Sequence, residues 1–137
     1  MNSTLKNSLA IIAGLTIGGS INMMIIMISG SIIPPPNGID VTTMEGLKEA
    51  MHLFEPKHFL LPFLAHALGT LSGAIIASKF AATKQKKMAL LIGFLFFIAG
   101  AINVFMLPSP MWFNAIDLIG AYIPMAIIGW RLTGSKN

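Results

Sequence analysis

Two residues capable of acid–base chemistry interrupt the apolar runs of this chain. His66 is the one histidine, and Asp117 the one acidic residue, that falls inside a run long enough to cross a membrane. An ionised aspartate there costs at least about 2.5 kcal/mol, so it normally faces a bundle interior and finds a partner. We expect His66 to be that partner, since both belong to glycine-marked helix faces. Such a pair can exchange a proton near neutral pH, as a proton-coupled pathway requires.

Three further polar residues are candidates for the same site. At about 1.5 Å rise per helical residue, Asn22 and Asn103 fall in the same half of the bundle as the His66–Asp117 pair. Tyr122 follows Asp117 in the same apolar run. The predicted substrate or proton pathway therefore comprises Asn22, His66, Asn103, Asp117 and Tyr122. The alternative is structural, because interhelical hydrogen bonds lock helices together in other membrane bundles.

A second polar cluster, His52, Glu55 and His58, lies in the first connection between runs. Imidazole and carboxylate ligands suit zinc, iron or copper. However, Pro56 interrupts the helix, and the spacing matches no standard helical zinc motif. We interpret the cluster as a solvated loop at an outer mouth and predict no metal site. Nothing in the sequence identifies a cofactor or a catalytic signature.

The elements that position these residues are four long apolar runs. They cover residues 8–33, 59–80, 88–107 and 112–130, with an outer loop at 34–58. Each is close to the roughly 20 residues that a helix needs to cross a bilayer. The composition agrees, since 10% of the residues are charged, whereas about a quarter are charged in soluble domains. The sequence predicts an all-α membrane protein, a single four-span transmembrane domain over residues 1–137.

The outer loop predicts a short amphipathic helix on the membrane surface. Three prolines at 34–36 end the first run, because proline lacks the amide hydrogen. Thr42 and Glu45 then have capping-box spacing, and Leu47, Ala50 and Met51 follow at helical intervals.

The two halves of the chain resemble each other weakly. The segment 18–22, Gly-Gly-Ser-Ile-Asn, is similar to 99–103, Ala-Gly-Ala-Ile-Asn, and both lead to proline-rich turns. His66 and Gly69 correspond in spacing to Asp117 and Gly120. Two explanations stay open: two duplicated hairpins, or the glycine and alanine content common to membrane helices.

The basic residues predict the orientation in the membrane. Only Lys48 and Lys57 lie in the first connection, and the remaining seven lie at the termini or around the second connection: Lys6, Lys79, Lys84, Lys86, Lys87, Arg131 and Lys136. The positive-inside rule assigns such segments to the cytoplasm. We therefore expect an integral protein of the bacterial inner membrane with both termini cytoplasmic. The same distribution argues against a nucleic-acid partner.

Three classes of function fit these residues. The first is a small transporter or channel-like protein with an outward-facing polar site, coupled to protons through His66 and Asp117. The second is a membrane-embedded enzyme acting on a lipid-like substrate, and the third is a structural or accessory membrane protein. We favour the first, with membrane lipids, further copies of the same chain and an unidentified small molecule or ion as partners, since four spans rarely enclose a pathway alone.

The orientation can be tested with single cysteines, because the chain has none of its own. In intact cells, Ser3→Cys, Gln85→Cys and Ser135→Cys should resist an impermeant thiol reagent, whereas Asn37→Cys should react. Labelling of Gln85→Cys in sealed cells would overturn the orientation.

Overall fold

The structure, a computed structural model, describes residues 1–135. Lys136, counted above among the basic residues, lies outside the described residues. Every regular element within 1–135 is helical: α1 Ser3–Ile32, α2 Met44–Met51, α3 Leu60–Phe80, α4 Gln85–Met106, α5 Met111–Gly120 and α6 Ile123–Leu132, with 3₁₀ turns at Pro36–Gly38 and Pro56–Phe59.

Among residues 1–135, four helical stretches are long and apolar enough to cross a membrane. They are Ser3–Ile32, Pro56–Phe80, Gln85–Met106 and Met111–Leu132. The protein is therefore all-helical with four candidate membrane spans. The first stretch has 30 residues and is longer than the other three, which have 25, 22 and 22.

The fourth stretch is not one helix, as the apolar run 112–130 had suggested, but two. α5 ends at Gly120 and α6 begins at Ile123, with Tyr122 at φ −115° and ψ −78° between them. Pro124 explains the break, because proline has no N–H to donate and its ring excludes the carbonyl of the residue four positions earlier. That residue is Gly120.

α3 lies at the centre and α1 packs along it through glycines. A Cβ atom on Gly18 would lie 2.5 Å from the carbonyl oxygen of Gly69, and one on Gly14 would lie 2.6 Å from that of Gly73. The backbones thus approach as closely as small-residue membrane interfaces allow. The buried residues of α1, which are Ala10, Gly14 and Gly18, all lie in its first two thirds.

The half of the bundle that holds the termini, called here the termini end, is densely packed. Ala74, Ala77, Ala89, Ile92 and Ala126 form a fully buried core between α3, α4 and α6. Asn7 Oδ1 accepts hydrogen bonds from the N–H groups of Ala82 and Thr83, which ties the start of α1 to the α3–α4 turn. The residues of this core line neither of the two cavities described below.

The connection between α1 and α3 marks the opposite side, called here the loop end, and it contains α2. The N-cap of α2 is Thr43, whose hydroxyl oxygen accepts from Gly46 N–H at 3.0 Å, so the predicted cap at Thr42 was wrong. Thr42 instead donates its N–H and its hydroxyl to Asp40 Oδ1, and these two bonds hold the pKa of Asp40 below its usual value. A Cβ on Gly46 would overlap the carbonyl oxygen of Asp40.

Neighbouring glycines in α1 provide a matched test of the packing. Gly18→Ala should destabilise the protein by about 1 to 3 kcal/mol, because the added methyl meets the backbone of α3. Gly19→Ala should be neutral or slightly stabilising, since a Cβ there meets nothing within 4 Å. Thermal unfolding of the purified variants measures both, and equal melting temperatures would contradict the close contact.

Candidate functional site

His66 and Asp117 form a direct hydrogen bond between two helices. His66 Nδ1, on α3, lies 2.7 Å from Asp117 Oδ1, on α5. Asp117 is 4% exposed, and the His66 side chain is 17% exposed. A carboxylate buried to this degree needs donors to replace its lost water. The structure thus brings together the two acid–base residues of the apolar runs.

Tyr122 supplies the second donor to the same carboxylate. Its hydroxyl donates to Asp117 Oδ2 at 3.0 Å, and its ring stacks on the His66 imidazole with centroids 5.9 Å apart. In a continuous helix, residues five positions apart point about 140° away from each other. The break between α5 and α6 turns the tyrosine back toward Asp117, so the broken helix creates this bond.

Gly100 on α4 makes room for the tyrosine. A Cβ at this position would collide with the phenol oxygen and ring of Tyr122. Tyr122 is 3% exposed, and Phe97 packs edge-on against its ring at 6.1 Å between centroids. The ring is thus packed on two sides, and it is held where its hydroxyl donates to Asp117.

For a neutral His66 ring opposite an ionised Asp117, the hydrogen bond sets the proton position. Asp117 as a carboxylate can only accept, so Nδ1 carries a proton. Nε2 of a neutral ring then keeps its lone pair. His66 lines two adjoining cavities, and Nε2 is the nitrogen left for a molecule inside them. A base held by a carboxylate on its other nitrogen is the arrangement used for proton transfer in many sites.

Asn22 and Asn103 border the small pocket next to His66. This pocket has a volume of about 70 Å³ and lies between α1, α3 and α4. Asn22 Oδ1 is buried there without a hydrogen-bond partner among residues 1–135. Asn103 lies on the more exposed edge. Tyr122 lines the same pocket, so four of the five predicted pathway residues border it, and the fifth, Asp117, is hydrogen-bonded to His66 and Tyr122.

A larger cavity leads from this pocket to the loop end. Its volume is about 460 Å³, within the range of small-molecule sites. Four residues border both spaces: Asn22, His66, Gly100 and Asn103. Most of the larger wall is apolar, and the chain at 41–44 covers part of it. The site is therefore one-sided, with an apolar entrance and a polar floor.

The predicted cluster at the outer mouth does not assemble as a unit. His58 Nδ1 accepts from Glu55 N–H at 2.8 Å, and its Nε2–H donates to the carbonyl oxygen of Pro34 at 3.2 Å. Glu55 instead pairs with Lys57 at 3.3 Å on the surface. Of the three residues, only His58 borders the large cavity. Within residues 1–135, no group of three His, Asp or Glu side chains is placed to hold a metal ion.

Two polar residues of the site were not among the predicted pathway residues. Asn114 is 8% exposed, borders the large cavity and exchanges hydrogen bonds with Ser109, whose hydroxyl donates to Asn114 Oδ1 at 2.5 Å. Its position three residues before Asp117 places it on the same helix face, and that spacing was the available signal. Thr70 is buried in the small pocket and donates its hydroxyl to His66 O at 2.8 Å.

The bond between Tyr122 and Asp117 can be measured by a double-mutant cycle. Tyr122→Phe should cost about 1 kcal/mol, because it leaves Asp117 Oδ2 without its donor. Combined with Asp117→Asn, the losses should fall short of their sum by about 0.5 kcal/mol or more. Unfolding free energies in detergent give the four corners of the cycle.

Phe94→Leu serves as the control, because Phe94 is an exposed residue of α4. Its effect should add to that of Asp117→Asn within about 0.5 kcal/mol. Full additivity of Tyr122→Phe and Asp117→Asn would show that the phenol does not stabilise the carboxylate.

The site is thus a buried carboxylate with two donors, a free imidazole nitrogen and an unpartnered amide oxygen at the floor of one cavity. No protein-family model, curated protein or solved structure matches this chain.

Proposed function

We propose that this protein is a small membrane transporter in an outward-open conformation, with the His66–Asp117 pair exchanging a proton as the bound molecule moves. The observation that carries the proposal is the placement of this hydrogen-bonded pair at the floor of a cavity that opens toward the loop end. Intramembrane ionisable residues commonly mark substrate paths and proton relays.

The broken fourth span supports this reading. Discontinuous membrane helices in transporters carry their binding sites at the break, where backbone groups are released from the helix. Here the break at 121–122 lies beside the cavity, and it positions Tyr122 against Asp117. The glycine contact between α1 and α3 has few side chains to interlock, so it permits small sliding movements of one helix on the other.

The second candidate is a membrane-embedded enzyme acting on a lipid-like substrate. It is favoured by the densely packed termini end, since an enzyme needs only a one-sided pocket. In that case His66 Nε2 takes a proton from the substrate, while Asp117 orients the ring and stabilises its positive charge. The two candidates share a site and differ in whether the termini end ever opens.

The setting of the proposal comes from the charge distribution. The loop end faces the periplasm or exterior, α2 lies on that membrane surface, and both termini lie in the cytoplasm of a bacterial cell. Association of several copies supplies the enclosure that four spans alone do not give. We also retain the hypothesis that the two halves of the chain are duplicated hairpins. In support of the orientation, six of the basic residues flank the termini end of the described bundle.

Access to the closed core distinguishes transport from catalysis without knowledge of the substrate. Ile92 is fully buried at the termini end, and Met27 is an exposed residue lining the large cavity. In a transporter, Ile92→Cys should react with an impermeant maleimide from the cytoplasmic side, since that half must open. Adding Asp117→Asn should slow this labelling by about fivefold or more, because the amide cannot exchange the proton that accompanies the opening of the termini end.

Met27→Cys is the control for the open side and should react from outside in intact cells. Melting temperatures of the variants exclude unfolding as the cause of labelling. If Ile92→Cys stays protected in both intact and inverted vesicles while Met27→Cys reacts, transport is excluded and the enzyme becomes the better reading.

A further inference from the structure

We propose that the ligand of this site is an amphiphile whose head group donates hydrogen bonds and carries no negative charge. The inference rests on the proposed function only in taking the two cavities as a binding site. It concerns which molecules the pocket accepts, whether they are afterwards moved or transformed.

The polar floor offers acceptors that lack donors. Asn22 Oδ1 is buried and has no hydrogen-bond partner among the described residues. In a neutral imidazole that donates from Nδ1 to Asp117, Nε2 is a second acceptor without a donor. Both residues border the pocket of about 70 Å³, which has room for a small head group. A buried acceptor without a donor is costly, so a molecule that brings donors gains at both positions.

The charges around the floor disfavour an anion. Among the described residues that line either cavity there is no lysine and no arginine. Asp117 borders the larger cavity, and its two oxygens already accept from His66 and Tyr122. A carboxylate or phosphate head placed beside it would put two like charges together in a medium of low dielectric. A hydroxyl avoids this repulsion, and an ammonium group is attracted.

The rest of the site suits an apolar chain. The cavity of about 460 Å³ is lined by four methionines, Met23, Met27, Met44 and Met51, together with other apolar residues. Methionine side chains are flexible and polarisable, so they adapt to chains of different shape. Met23 and Met27 are 53% and 73% exposed, so the rim between α1 and α4 is itself apolar.

Four probes with the same alkyl chain separate the chemical requirements. Decanol is a neutral donor and decylamine a cationic donor, whereas decyl methyl ether has no donor and decanoate is an anion. Binding is followed in nanodiscs by NMR of the methionine methyl groups, and the ¹⁵N shift of His66 Nε2 reports a hydrogen bond to that atom. Protein-free nanodiscs give the membrane concentration of each probe.

Decanol and decylamine should bind about tenfold more tightly than the ether and decanoate, and both should move the Nε2 resonance. Asn22→Leu should remove most of that preference, because it deletes one acceptor while keeping the side-chain volume close. Met24→Leu, a change on the exposed face of α1 that lines neither cavity, should leave the preference intact. Melting temperatures confirm that both variants are folded.

Equal or tighter binding of decanoate or of the ether would overturn the inference, and so would the absence of binding by all four probes. The outcome is independent of the cysteine experiment. If the donor probes bind preferentially but Ile92→Cys is never labelled, the proposed ligand class is supported and transport is excluded. If Ile92→Cys is labelled but decanoate is the preferred probe, transport is supported and the proposed ligand class is excluded.

Discussion

The burial of the Asp117 carboxylate is the constraint on which the rest of the site depends. A side chain 4% exposed in a membrane bundle cannot keep its charge without donors close by. They come from two different parts of the fold, His66 from α3 and Tyr122 from the break between α5 and α6. Each donor requires a feature of the fold. The bond from His66 requires that α5 packs against α3, and the bond from Tyr122 requires the break in the fourth span and the space left by Gly100.

The same carboxylate links architecture to chemistry. By holding Nδ1 of His66, it leaves Nε2 as the imidazole nitrogen that can bond to a molecule in the cavity. The close packing of α1 on α3 places Asn22 beside this ring, since a Cβ on Gly69 would lie 2.9 Å from Asn22 Cβ. The floor of the cavity is therefore assembled from all four candidate spans, although none of them carries a recognisable motif.

The sequence predicted the larger features because membrane burial leaves strong signals. Run length and composition gave the all-helical class and the approximate spans, and the isolation of His66 and Asp117 in apolar runs led to their pairing. Apolar periodicity does not register local backbone geometry, so the break at 121–122 was missed even though Pro124 stood in the run. The cap of α2 was misplaced by one residue, because Asp40 competes for the hydroxyl of Thr42. Cavity shape depends on side-chain packing between distant segments, which spacing along the chain does not encode.

The length of α1 has a consequence for how the protein sits in different membranes. Its 30 residues extend about 45 Å, whereas the hydrocarbon core of a bilayer is about 30 Å thick. A helix with this hydrophobic mismatch tilts, and the tilt depends on bilayer thickness. α1 is anchored to α3 near its first half, while its far end forms one wall of the large cavity. We therefore expect lipid chain length to act on the width of the cavity mouth, which would make the surrounding bilayer one of the determinants of access.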